Sequence, residues 1–174
     1  MIVYIMAIIH SIKGDVNMKL GVYDIINDPL PQLYKIKEIN IGQEIFKYDA
    51  QIINMFNKHL MMDKLNSEHI YALSLTYGLY PKGIILVSSG TCDKCAVNFR
   101  GLAIGLLLTG AEQFMCFHNH PGYNRIISNS DINLTKEYNK LGNTIGINFL
   151  RHYMITKNYY TECIDPDLQN IPFI

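Results

Sequence analysis

The stretch from Phe99 to Pro121 most constrains what this chain can fold into. Phe99, Leu102, Ala103, Leu106 and Leu107 share one face of a helix predicted over 99–110, and Gly110 is a natural stop. An apolar strand, QFMCFH, follows at once and runs into His118-Asn119-His120-Pro121. A helix and a strand joined by so short a connection predict an α/β sandwich around one sheet.

Other segments extend that pattern. From Asp49, the apolar residues Ile52, Ile53, Phe56 and Leu60 recur at helical spacing, with Asp49 as the candidate cap. HIYALSLT over 69–76 is apolar enough for a buried strand. The turn YGLYPKG then leads to a second strand, IILVS, over 84–88. A further helix is predicted from near Ser128 to near Gly142. Final strands are predicted at Tyr153–Thr156 and Tyr159–Cys163, with His152 at the start of the first. Residues 20–48 read as mixed, with Pro29 and Pro31 in a turn-like stretch and IKEINI as a possible short strand.

The division expected is an N-terminal extension over 1–48 and one domain over 49–174. The first nine residues, MIVYIMAII, are apolar but short of the roughly 20 residues a spanning helix needs. They carry neither a basic n-region nor a small-residue cleavage site. Residues 1–17 read either as a mis-called leader, with Met18 the true start, or as a hydrophobic N-terminal strand.

Composition excludes some classes. Hydrophobic residues make up 49% of the chain, enough for a real core and too many for a disordered chain. Lys plus Arg and Asp plus Glu number 15 each, so there is no basic footprint for direct nucleic-acid binding or for electrostatic membrane attachment. Four cysteines, at 92, 95, 116 and 163, in a chain with its own apolar core point to free or metal-bound thiols in a reducing cytoplasm. Cys92-x-x-Cys95 has no second such pair and supports zinc or redox chemistry only weakly. Cys116 shares a strand face with His118 and reads as a small buried hydrophobe.

The chemistry centres on HNHP. Residues two apart on a strand point to one side, so His118 and His120 can share a metal. Pro121 takes the chain out of the sheet there and leaves room for an open ligand position. Asp131, just inside the next helix, offers a third ligand, and catalytic zinc needs three protein ligands and a water. Ser128, three residues earlier, fits an N-cap with Asp131 as its first-turn acid, a role compatible with metal ligation. Paired histidines on a strand also occur as plain polar surface.

HNHP followed by Asp131, with Ser128 three residues before it, resembles the metal motif of the JAMM/MPN superfamily, and most closely the JAB-like domain of RadC-type proteins. The resemblance also takes in Ser67-Glu68-His69, Gly90-Thr91, Arg100, Asp131-Ile132, Leu134-Thr135-Lys136, Gly146-Ile147 and His152, covering about residues 65–163. It implies a cytidine-deaminase-like three-layer sandwich with a central mixed sheet flanked by helices. It also implies one zinc ion (Zn2+) held by His118, His120 and Asp131. In the superfamily an upstream glutamate is the general base and the motif serine stabilises the oxyanion. Ser128 matches that serine, and Glu68 is the best match to the glutamate, with Glu112 also upstream. Relatives usually carry Ser-Gly after HNHP, a proline before the motif serine and an aspartate before the final histidine. Here Gly122-Tyr123, Ile127 and Arg151 stand at those places.

The function implied is a zinc-dependent metallohydrolase acting on a peptide, protein or isopeptide-like amide. The alternatives are a DNA-repair or recombination accessory protein, or an inactive zinc-binding scaffold. Residues 1–64 show no pair of glycine-rich helical hairpins like those preceding this domain in longer RadC relatives. Arg100 reads as a solvated arginine or as the partner of an anion near the site. His152 reads as a polar strand start or as a support behind the ligands.

Overall fold

The computed structural model describes residues 18–164, apart from 28, 43–45, 47 and 91–96. Seven strands form one mixed sheet in the order β2-β1-β4-β3-β5-β6-β7. They are β1 (Lys19–Asn27), β2 (Pro31–Asn40), β3 (His69–Leu75), β4 (Pro81–Ser89), β5 (Gln113–Asn119), β6 (Asn148–Thr156) and β7 (Tyr159–Glu162). Among the described residues, three α-helices flank the sheet: α1 (Asp49–Leu60), α2 (Phe99–Leu108) and α3 (Asn129–Ile145).

Each face of the sheet has its own core. On one side Ile52, Ile53 and Phe56 of α1 pack against Leu73, Phe117 and Tyr153. On the other, Leu102 and Leu106 of α2 and Tyr138 of α3 cover Ile85, Phe114 and Cys116. The result is the three-layer α/β sandwich expected from the sequence. Among the described residues, no helix is long and apolar enough to cross a membrane.

Several boundaries differ from the expectation. The stretch over 20–48 holds a full hairpin rather than one short strand: β1 and β2 pair antiparallel, and β1 adds to β4 in parallel through Val22 and Tyr23. This hairpin falls within the stretch read as an N-terminal extension, yet it forms one edge of the common sheet. Most of β2 is exposed, so its sequence lacks the alternation of a half-buried strand. Pro31 is tolerated because it opens an edge strand.

Asp49 is not the cap of α1. Tyr48 takes that position in extended backbone, and the Asp49 carboxylate instead accepts a hydrogen bond from Tyr153 Oη. α3 runs past Gly142 to Ile145, and Gly146, at φ 73°, supplies the left-handed C-cap. Gly142 is a packing glycine, since a Cβ there would lie 2.6 Å from the Ile147 carbonyl oxygen. β6 begins at Asn148, so His152 lies mid-strand, beside Cys116 of β5. Residues 1–17, Thr91, Cys92 and Cys95 lie outside the described residues, and with them the readings of the leader and of the Cys92-x-x-Cys95 pair.

Candidate metal centre

β5 is the central element of the site. All seven of its residues are buried, between antiparallel β3 and parallel β6. Alternation places Cys116 and His118 on the face covered by α2 and α3. Cys116 is a fully buried member of that core, and burial raises its thiol pKa well above the ordinary value, so it stays a neutral hydrophobe. Past the end of β5, the His120 N–H donates to the Ile155 carbonyl at 2.9 Å, which carries the strand geometry one residue further. The chain then turns away through Pro121 and Gly122, whose φ of 75° favours glycine. The Gly122 carbonyl accepts from Thr156 Oγ1 at 2.7 Å.

Three donor groups converge at this end of the sheet. His118 Nε2 lies 3.2 Å from His120 Nε2 and 3.4 Å from Asp131 Oδ1, and His120 Nε2 lies 3.6 Å from Asp131 Oδ2. Ligand atoms placed tetrahedrally at normal zinc distances stand about 3.3–3.6 Å apart. The His118–His120 and His118–Asp131 Oδ1 separations lie close to that range, one ligand atom from each of the three residues lies within 4.8 Å of the others, and the donors, two imidazoles and a carboxylate, are the types zinc takes. His118, His120 and Asp131 together form a cluster able to hold a metal ion.

The α3 N-terminus aims Asp131. Ser128 is the N-cap, and its backbone N–H and hydroxyl both donate to Asp131 Oδ2, at 2.7 and 2.8 Å. The Asp131 N–H donates back to Ser128 Oγ at 3.2 Å. This reciprocal box leaves Oδ1 as the oxygen facing His118.

Burial pushes the His118 pKa down to about 4, against the attraction of Asp131. His120 goes the other way: Asp131 raises its pKa over the cost of burial, and the charge of Glu68 adds to the rise. Burial would raise the Asp131 carboxyl, but His120, His118 and Ser128 hold it below the usual carboxylate range.

These shifts predict the acid response of the zinc-free protein. Between pH 6.5 and about 4, the unfolded chain protonates His118 while the fold keeps it neutral. The unfolded state binds more protons there, so stability falls with pH, by about 3 kcal/mol from His118. Buried His152 acts in the same direction. His120 does not change the slope in this window: its pKa is raised above 6.5, so its stability contribution is complete below 6.5 and is lost only as pH rises above it. Urea midpoints recorded with a chelator across this window should drop toward acid; a flat profile would contradict neutral, buried imidazoles.

Glu68 immediately precedes β3 and is half-buried, close enough to His120 to act on its charge. Asn119 fixes that segment: its Oδ1 accepts from the His69 N–H at 2.8 Å, and its Nδ2 donates to the Ser67 carbonyl at 3.0 Å. The Glu68 carbonyl accepts from the Gly90 N–H at 2.9 Å. Glu112 lies before β5, at the opposite end of that strand from the histidines, and its Oε2 accepts from the Tyr77 N–H. At strand rise that end is about 20 Å away, which removes Glu112 from the site.

Arg151 does not reach the histidines. It points to the α1 side of the sheet, pairing with Glu162 at 2.8 Å and lying 3.6 Å from Asp49. Arg100 is exposed in the first turn of α2. Sequence reasoning passed over Asn119 and Thr135 as functional. Thr135 could have been flagged by its position one helical turn after Asp131. Asn119 carried no comparable signal, because its partners lie across the sheet.

Residues 46–163 match the family model described as the RadC-like JAB domain. A UPF0758 protein of Finegoldia magna is 34% identical over 91 residues, covering 52% of this chain and 41% of its own length. One from Clostridium acetobutylicum is 31% identical over 109 residues, covering 59% of this chain and 46% of its own. One from Desulfitobacterium hafniense is 27% identical over 146 residues, covering 82% and 57%. The chain thus spans about half the length of the curated relatives it matches.

Proposed function

This chain belongs to the RadC-like JAB domain family, within the JAMM/MPN superfamily, and from that premise we propose that it is a zinc-dependent hydrolase of peptide or isopeptide-like amides. The observation that carries the reading is the convergence of His118 Nε2, His120 Nε2 and Asp131 at 3.2–3.6 Å, with the carboxylate of Glu68, just before the neighbouring strand, acting on the charge of His120. His118, His120 and Asp131 would hold the ion. Zinc bound there would supply Lewis-acid activation of water, lowering its pKa toward about 7.

Glu68 would be the general base, its carboxylate taking up a proton from the attacking water and returning it to the leaving amine. Its place beside His120 suits this role, since Asn119 holds the residues on either side of it. Ser128 spends its hydroxyl proton on Asp131 Oδ2. Donation to an oxyanion would require that proton to swing away, while the Ser128 backbone N–H keeps its bond to the carboxylate. The substrate is taken to be a peptide or protein, consistent with the balanced charge of 15 acidic and 15 basic residues.

The test is metal analysis of the purified chain followed by an amide substrate panel. One equivalent of zinc, lost in His120→Ala, together with hydrolysis that disappears in the same variant, is the expected result. No zinc in the wild type would sink the reading. Zinc without cleavage of any peptide or isopeptide would make the chain a zinc-stabilised scaffold. DNA binding that weakens steeply with salt would favour the accessory role instead.

A further inference from the structure

A continuous hydrogen-bonded chain runs behind the three donor groups, from one to another. His118 Nδ1 lies 2.8 Å from His152 Nε2, and His152 Nδ1 lies 2.8 Å from Thr135 Oγ1. Thr135 Oγ1 lies in turn 2.9 Å from the Asp131 carbonyl oxygen and 3.2 Å from the Cys163 carbonyl oxygen. All four residues behind or at the ligands are buried: His118, Thr135, His152 and Cys163. The Tyr138 ring meets His152 edge-on, at 5.1 Å between centroids and 89° between planes, and so restrains its rotation.

Carbonyl oxygens carry no proton, and this sets the direction of the chain. A threonine hydroxyl has one proton to give, and two carbonyls ask for it. With that proton given to a carbonyl, His152 Nδ1 is the donor to Thr135. A neutral imidazole with its proton on Nδ1 accepts at Nε2, so His118 donates its Nδ1 proton there. The lone pair of His118 is left on Nε2, which faces His120 and Asp131. Reversing the order would put a proton on His118 Nε2, block it as a ligand, and leave both carbonyls without this donor.

We propose that Thr135 and His152 are positioning residues that hold His118 in its metal-binding tautomer and tie its ring to the helical turn carrying Asp131. The proposal rests on the metal-site reading above. Two of the three ligands are thereby linked from behind: His118 through its ring, Asp131 through its own carbonyl. Outer hydrogen bonds of this type orient histidine ligands and raise their basicity. His118, His152 and Cys163 also form a cluster of metal-ligating types. The two nitrogens stand 2.8 Å apart, a hydrogen-bond distance, whereas nitrogens sharing a tetrahedral zinc stand about 3.3 Å apart. That cluster is therefore read as part of the relay and not as a second ion site.

The first measurement needs no zinc. Side-chain 15N NMR of the zinc-free wild type at neutral pH should place the protons of both His118 and His152 on Nδ1. A proton on His118 Nε2 would overturn the proposal, whatever the variants do. The second is a zinc titration: Thr135→Val, which keeps the shape of the side chain, should weaken affinity about 10–100-fold. Thr135→Ser should restore most of that loss, with far-UV spectra unchanged in both. Wild-type affinity in Thr135→Val, or a second zinc equivalent lost in Cys163→Ser, would also overturn it. A wild type that takes no zinc would instead defeat the metal-site reading, and the tautomer pattern would still decide the relay.

Discussion

Glu68→Gln is expected to slow amide hydrolysis by about 10²–10⁴-fold, with zinc held at one equivalent. Glutamine keeps the size and the hydrogen-bonding reach of the side chain but cannot take up the proton. The backbone around Glu68 is fixed independently of its carboxylate, through Asn119 on both neighbours and Gly90 on its carbonyl. The substitution should therefore lower kcat with little change in KM or stability. Glu112→Gln is the matched control, because Glu112 lies at the far end of β5 and bonds the Tyr77 N–H. Zinc-dependent hydrolysis that continues at full rate in Glu68→Gln would remove Glu68 from the mechanism.

Asp131→Ala should both abolish zinc binding and weaken the zinc-free fold, and Asp131→Asn should separate the two effects. Asp131 is at once a donor toward the ion and one half of the capping box with Ser128. Loss of the cap partner costs about 1–2 kcal/mol of zinc-free stability. Asparagine still offers an oxygen to the Ser128 N–H, so Asp131→Asn should keep most of that stability. It removes the anionic ligand, and its zinc affinity should fall by more than the roughly 10–100-fold that an outer-sphere change costs. Zinc at a thousand times the wild-type Kd should stabilise the wild type by about 4 kcal/mol, Asp131→Asn by less than about 1.5 kcal/mol and Asp131→Ala not at all. Urea unfolding with and without zinc measures both quantities; an Asp131→Asn protein stabilised like the wild type would show that the carboxylate is not a ligand.

The parts of the fold that were legible were those with strong periodicity and local punctuation. α2, β5 and the start of α3 lie where helical spacing, Gly110, Pro121 and Ser128 place them. β2 was not legible in full because an exposed edge strand with Lys35, Lys37 and Glu38 has no apolar face to betray it. The first half of β6 was obscured in the same way: its residues are exposed or half-buried, and it is held by parallel pairing to β5, a contact no local pattern encodes. At the site, His118, His120 and Asp131 could be named because strand alternation and a helix cap are local rules. Thr135 and Asn119 join it through tertiary contacts 17 and 52 residues apart along the chain, and His152, which the sequence left between a polar strand start and a support behind the ligands, joins it through one 34 residues apart.

The central position of β5 also bears on how the molecule opens. Local unfolding starts where strands have one neighbour or exposed faces, here at β2 and β7, and reaches doubly flanked buried strands last. His118 sits on the strand whose amides should exchange with solvent most slowly. The edges of the sheet can fray and re-form many times while the histidine strand stays joined to the turn of α3 through His152 and Thr135, so these ligands should be kept together through openings confined to the edges.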